Sequence, residues 1–413
     1  MNKQRLLKIF TLNQTFHWFI VGIMLPVITL LQLEKGFNLF QISITMSIFS
    51  ATVVLLELPT GGLSDTIGRK KVYLVSLVFN FLAAFLILLA RNFQFITLGF
   101  FFLGVGRALS SGSLDAWFVD EFYFIDPEGN LQKALSKVGI FIPIGIATGS
   151  LLGGFIPMNL GKIMHQLWGL GLYSSNLITV LCLSFIQYIL TSKLIVEEVK
   201  PVSHSSLTSG FKLLPEVLSS SIKYGVKNNI IFILLLTTFA WGVGFSGLET
   251  FWQPQVKDIL GSDSQTWIFG VLAAGYFLAG SLGNLLITPL CNLFKNNYLM
   301  VLFFIRFMMG ILFFILALQK GIILFAVFYL TLFLFNGMNN TPHAAVFNRH
   351  IPTEKRSTLL SFESLFLQVG CLIGRLAMGY IANYNSITMA WLMGATFVLF
   401  SCFFYLILHF KKA

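Results

Sequence analysis

The chain has 413 residues, of which 56% are hydrophobic and only 10% charged, with a net charge of +11. An ordinary soluble domain carries about 25% charged residues, so a water-soluble globular protein is excluded. The basic residues are scattered singly at the ends of apolar segments and form no stripe or basic domain, which argues against nucleic acid as a partner and makes the positive excess a matter of membrane topology.

A helix needs about 20 apolar residues to cross a bilayer. The apolar runs predict helices near 9–32, 39–64, 72–91, 95–119, 134–157, 167–191, 229–253, 266–291, 298–318, 321–345, 358–382 and 388–409. Lys3, Arg5 and Lys8 ahead of the first run resemble a signal peptide. That run continues past residue 30 without a small-residue cleavage site, so it reads as the first membrane helix. With the N-terminus in the cytoplasm, 19 of the 27 Lys and Arg fall on the inner side, five (Lys35, Arg91, Lys162, Lys257, Lys320) fall outside, and Arg107, Arg306 and Arg375 lie within helices. The positive-inside bias then puts both termini in the cytoplasm of a multi-pass protein of the cell membrane.

The longest polar stretch, 192–228, is rich in Ser and Lys, contains Pro201 and Pro215, and reads as a cytoplasmic linker with a surface helix near 211–224. It divides the chain into six-helix halves, 1–191 and 229–413. Gly145, Gly149 and Gly154 recur 225 residues later as Gly370, Gly374 and Gly379, the mark of an internal repeat. Cys182, Cys291, Cys371 and Cys402 all lie in apolar segments, with neither a disulfide framework nor metal-ligand spacing. The expected fold class is all-α integral membrane, twelve transmembrane helices in two pseudo-symmetric bundles, with no cofactor and no metal.

Between the second and third helices the chain reads Gly61-Gly62-Leu63-Ser64-Asp65-Thr66-Ile67-Gly68-Arg69-Lys70-Lys71. This resembles the G-x-L-a-D-r-x-G-r-k signature of the major facilitator superfamily, with Thr66 where a base is usual. The resemblance spans the whole chain and implies a gate. Asp65 would meet the start of the eleventh helix near Ser357 or Thr358, where a helix dipole favours an anion, and Arg69 would pair with Asp120 or Glu121. In the fifth helix, Gly145-x-x-x-Gly149-Ser150-x-x-Gly153-Gly154 resembles the family's antiporter motif, found mainly in exporters, with Ser150 replacing its proline. Small residues four apart are also a generic means of packing membrane helices.

Ionisable residues inside a membrane are costly and are functional candidates. Arg107, in a loose match to the family's fourth-helix motif, is one; Glu57 and Asp115 are possible proton sites, Glu57 also being close enough to the gating motif to serve it structurally. The resemblance places the first, fourth, seventh and tenth helices around a central cavity. That nominates Asn13, His17, Trp18, Trp241, Glu249, Asn336, Asn339, Asn340 and His343, the histidines serving as proton switches or plain hydrogen-bonding groups. Arg306, Glu363 and Arg375 read as helix braces. With no P-loop or catalytic domain visible, an ion gradient is the expected energy source, and the chain is read as a non-enzymatic transporter. The expectation is a monomeric, proton-coupled exporter of a small amphipathic compound, with nutrient or metal-chelate symport as the alternative and a non-transporting sensor as a third reading.

Overall fold

The computed structural model describes residues 2–197, 228–351 and 356–412, without the side chains at 58, 59, 61, 62, 65, 66, 263, 356–358, 361 and 412. The expected surface helix at 211–224, with Pro201 and Pro215, lies outside the described residues. Where no water can satisfy peptide groups, a spanning segment has to close its hydrogen bonds internally, and helix is the form that does so within one segment. Among the described residues, twelve helices are long and apolar enough to cross a membrane. They are α1 (Lys3–Glu34), α2 (Leu39–Ile67), α3 (Arg69–Leu89), α4 (Phe93–Ile125), α5 (Leu131–Trp168) and α6 (Ser174–Leu194). After them come α7 (Asn229–Leu260), α8 (Trp267–Leu293), α9 (Tyr298–Ala317), α10 (Ile322–His350), α11 (Arg356–Tyr384) and α12 (Ile387–Lys412). Among the described residues there is no strand.

Asparagine starts many of these helices. Asn2, Asn92, Asn130, Asn228 and Asn297 each accept a hydrogen bond from the first-turn amide two or three residues on. Such a cap stabilises by about 1 kcal/mol relative to alanine. The breaks have equally local causes. Pro26 sits in the turn that interrupts α1, and Gly68, at φ +104°, turns the chain directly from α2 into α3.

Several helix boundaries differ from the sequence expectation. The fourth span was expected to be continuous over 95–119; it runs to Ile125 but is broken at Gly112, whose φ of +73° leaves the right-handed helix. The fifth does not stop near 157. It continues through a wide turn at Pro157–Gly161 to Trp168, so the sixth starts at Ser174 instead of near 167. Pro157 lacks the amide a regular turn would use, which suits the widened geometry there.

The chain divides into two compact units, unit 1 with residues 1–37, 48–214 and 264–274, and unit 2 with 38–47, 215–263 and 275–413. In unit 1, α1 packs along α5 on a seam of glycines. A Cβ on Gly145, Gly149 or Gly153 would strike the backbone carbonyls of Thr15, Phe19 and Ile23, and one on Gly22 that of Ile146. In unit 2, α7 packs along α11 the same way, Gly370 against the Phe239 carbonyl, Gly374 against that of Val243, and Gly242 against that of Leu367. The last glycine of each motif meets another helix of its unit. Gly154 meets Gly270, with Thr266 Oγ1 donating to the Gly154 carbonyl at 2.7 Å, and Gly379 meets Ser43. In lipid, close backbone approach supplies the packing contacts that hydrophobic burial supplies in water.

Each unit also has a dry aromatic and aliphatic core. Phe10, Trp117, Phe118 and Phe122 anchor it in unit 1, with the Phe10 and Phe118 rings stacked at 4.1 Å. In unit 2, Leu234, Leu302, Phe347 and Leu408 do so.

Candidate substrate and ion-coupling sites

In unit 1 the polar interior is carried by α1, α3, α4 and α6. Asn13 is buried and fully engaged: its Nδ2 donates to Thr191 Oγ1 at 2.8 Å, and its Oδ1 accepts from the Tyr73 hydroxyl at 3.0 Å, which in turn accepts from Gln187 Nε2 at 3.2 Å. His17 lies against Tyr73 and Trp18, with ring centroids 6.4 and 5.8 Å away. Arg107 sets its guanidinium over the Trp18 ring at 5.8 Å, a cation–π geometry.

Asp115, one short turn beyond the Gly112 break, accepts from Gln14 Nε2 at 2.8 Å. Glu57 accepts from the Ser111 hydroxyl at 2.7 Å. Arg107, Asp115 and Glu57 all keep accessible surface although they belong to membrane-spanning helices. The break at Gly112 makes this arrangement, because Arg107 and Asp115 sit on separate helical segments and not on one continuous face.

In unit 2 the polar groups are deeper. His343 Nε2 lies 2.6 Å from Glu363 Oε1, joining α10 to α11. Its other ring nitrogen is 3.0 Å from the Tyr405 hydroxyl on α12, and Thr238 on α7 approaches both members of the pair. Arg306 on α9 is 2% exposed, reaches Tyr405, and stands 5.9 Å over the Trp241 ring. Trp241 stacks on Phe245 and donates to Asn336 Oδ1 at 3.2 Å. Asn340 is exposed on the same helix, and Asn339 is buried.

A second unit 2 group holds Glu249, hydrogen-bonded to Tyr276. Arg375 is within electrostatic reach of Glu249 and donates to Thr250 Oγ1 at 3.3 Å and to the Met46 carbonyl at 3.2 Å.

At the α2–α3 turn, Arg69 Nε is 2.8 Å from Asp120 Oδ2. The Arg69 amide donates to Glu197 at 2.7 Å, so a carboxylate from beyond α6 occupies the N-terminus of α3, where the helix dipole favours it. Lys70 donates to the Ser192 carbonyl and Trp117 to that of Val196, holding 192–197 against the same turn. Gly61 and Asp65 lie in the last turns of α2; the side chain of Asp65, and those of Ser357 and Thr358, are outside the described residues.

A family model described as Major Facilitator Superfamily matches residues 10–269 and 234–412. The chain belongs to that superfamily. Among curated members, the quinolone resistance protein NorA of Staphylococcus aureus is 22% identical over 285 residues, 67% of this chain and 66% of NorA. The chain thus spans just under two thirds of that relative's length. A substituted form of the nucleoside transporter NupG shares the fold with a TM-score of 0.80 at 15% identity, covering 97% of this chain and 99% of that one. A bacterial homologue of the iron transporter ferroportin gives 0.76 at 13% identity, covering 98% and 99%.

The chain is thus a multi-pass membrane protein of that superfamily. The sequence reading missed the amide and hydroxyl partners Gln14, Tyr73, Gln187 and Thr191, and the unit 2 hydroxyls of Thr238, Tyr276 and Tyr405. It treated Glu363 and Arg306 as separate braces. One signal was available: His343 lies seven residues before the end of α10 at His350, and Glu363 seven after the start of α11 at Arg356, so a short connection puts them at equal depth.

Proposed function

We propose that this protein is a proton-coupled secondary transporter that exports a small amphipathic compound from the cytoplasm by alternating access. The observation that carries the reading is the exposure of Arg107, Asp115 and Glu57 within membrane-spanning helices. A charge turned to hydrocarbon costs several kcal/mol, about 3 by insertion scales, so these groups belong to a wet, ligand-accessible surface inside the membrane. Trp18 beside Arg107 adds an aromatic face, and the surface suits a solute with both apolar and polar parts.

Export is supported by the glycine seam along α5, which resembles the antiporter motif, and by a relative named for quinolone resistance. Asp115 and Glu57 are the proposed proton acceptors in unit 1, with Arg107 setting their electrostatic environment. The α2–α3 turn, with Gly61, Asp65, Gly68, Arg69 and Asp120, is the proposed gate. His17, Trp241, Glu249, Asn336 and Asn340 supply substrate contacts, while Asn13 holds α1 against α3 and α6. The bundles at 1–191 and 229–413 are the moving parts, in a monomer of the cytoplasmic membrane with both termini inside.

The test is substrate-triggered proton movement in proteoliposomes under an imposed pH gradient, with a panel of cationic, zwitterionic and anionic amphiphiles that includes quinolones. Export coupled to proton entry, lost in Arg107→Ala or Asp115→Asn, is the expected result. Uptake of a nutrient together with protons would replace the exporter by a symporter.

A further inference from the structure

We infer that His343 and Glu363 form a second proton-carrying site, in unit 2, distinct from the carboxylates of unit 1. The inference rests on the proton-coupled reading above and assigns residues to it that lie on other helices. An ionised carboxylate only accepts and a guanidinium only donates, whereas an imidazole can do both. With Glu363 ionised, the 2.6 Å contact requires a hydrogen on His343 Nε2.

That leaves Nδ1, 3.0 Å from the Tyr405 oxygen, as the position that can change. Without an added proton, Nδ1 accepts from the Tyr405 O–H. With one, the Nδ1–H bond forms and donates to the Tyr405 oxygen, whose own O–H turns to Thr237, a hydroxyl already in contact with it. The oxygen retains a second lone pair for Arg306. One proton is gained or released by rotating a hydroxyl, with no heavy atom displaced and no donor orphaned.

The surroundings fit a site that cycles. The charged and titratable groups facing His343 are Glu363 from α11, Tyr405 from α12 and Arg306 from α9, while α7 contributes the hydroxyl of Thr238. Glu363 favours the added charge and Arg306 repels it, so neither state is locked in. Among the described residues, two buried N–H groups of Arg306, on Nε and Nη1, have no hydrogen-bond partner, so its charge is not fully answered there. The side chain of Glu363 keeps 18% of its surface accessible, against 10% for His343, so the pair is not sealed from its surroundings. Adding the proton turns the bond between α10 and α11 from a neutral imidazole donating to a carboxylate into a full ion pair, so proton binding is converted into helix–helix contact.

The first test is proton uptake by the purified full-length protein, followed with an indicator dye from about pH 9 to about pH 5, the range in which histidines titrate. Native protein is expected to take up about one proton per chain more than His343→Asn, and Glu363→Gln to move that step. Tyr405→Phe removes one hydroxyl, keeps the ring, and should move the step as well, which separates a proton role from a folding defect. Identical titration of native protein and His343→Asn overturns the inference.

The second test compares pH-gradient-driven flux of a fluorescent quinolone with its counterflow in proteoliposomes. The ratio should fall tenfold or more in Glu363→Gln, about 1.4 kcal/mol of lost coupling. Counterflow without gradient-driven flux in the native protein would sink the proton-coupled reading itself. An unchanged ratio in Glu363→Gln beside a coupled native protein would sink only this assignment.

Discussion

The two units share a packing scheme and differ in what they do with charge. In both, a glycine-lined helix is pressed against backbone carbonyls, Gly149 on Phe19 in unit 1 and Gly374 on Val243 in unit 2. Unit 1 leaves Arg107, Asp115 and Glu57 exposed and answers them with neutral partners, the Trp18 ring, the Gln14 amide and the Ser111 hydroxyl. Unit 2 folds His343, Glu363 and Arg306 into a network closed by Tyr405. A repeated scaffold thus fixes the backbone in duplicate while its polar interior diverges, and the buried network should contribute more to stability than the exposed groups do.

The largest expected effect breaks that contrast if it fails. Removing the carboxylate that accepts from His343 leaves a buried donor unpaired and costs up to about 3 kcal/mol. Glu363→Ala should therefore lower stability in a denaturant titration of the purified protein by about that amount, and Asp115→Ala by less than about 1 kcal/mol, since exposed charges contribute little. Equal losses would mean that the two units do not differ in the way argued.

The seam sharpens the comparison from the other side. Overpacking costs typically about 1–3 kcal/mol, and a backbone carbonyl cannot swing away as a side chain can. Gly149→Val and Gly374→Val should each cost about 2 kcal/mol or more, by similar amounts if the repeat is energetic as well as geometric. Gly139, on the same helix as Gly149, has open space where its Cβ would stand. There Gly139→Ala should raise stability by up to about 1 kcal/mol through helix propensity alone. A smaller loss, about 1 kcal/mol, is expected in the same titration for Lys35→Met, because Lys35 Nζ donates to the carbonyls of Leu88 and Ala90 at the end of α3.

Much of the fold was legible in the sequence because the bilayer imposes a one-dimensional rule. Apolar length and flanking charge gave twelve spans, and three glycines repeated at a spacing of 225 marked the seam. The break at Gly112 was harder to read, since a glycine within an apolar run is compatible with a continuous helix and only its positive φ ends one. For the sites, single residues could be nominated but not their partners. Asn13 had the right helix for a cavity position, yet its hydrogen bonds go to Thr191 and Tyr73, on helices far away in the chain. His343 and Glu363 were each noticed separately; what joins them is depth on two antiparallel helices, which no spacing rule within one helix expresses.

The smallest effect tests the turn that both units lack in duplicate, the link between α2 and α3. Arg69 makes two different contacts there, its side chain to Asp120 and its amide to Glu197. Arg69→Ala removes the first and keeps the second, because a backbone amide survives the substitution. The Asp120 side chain is 35% exposed, so screening by solvent leaves the ion pair with a coupling of about 0.5 kcal/mol in a double-mutant cycle of Arg69→Ala and Asp120→Ala. Glu197→Gln acts on the helix N-terminus instead, and its effect should add to that of Arg69→Ala. If the Arg69–Asp120 pair is a gate, its removal changes transport rate by much more than that half kilocalorie predicts, since the contact would be made in one state of the cycle and broken in another. A change in rate no larger than the stability coupling implies would make the pair a static brace.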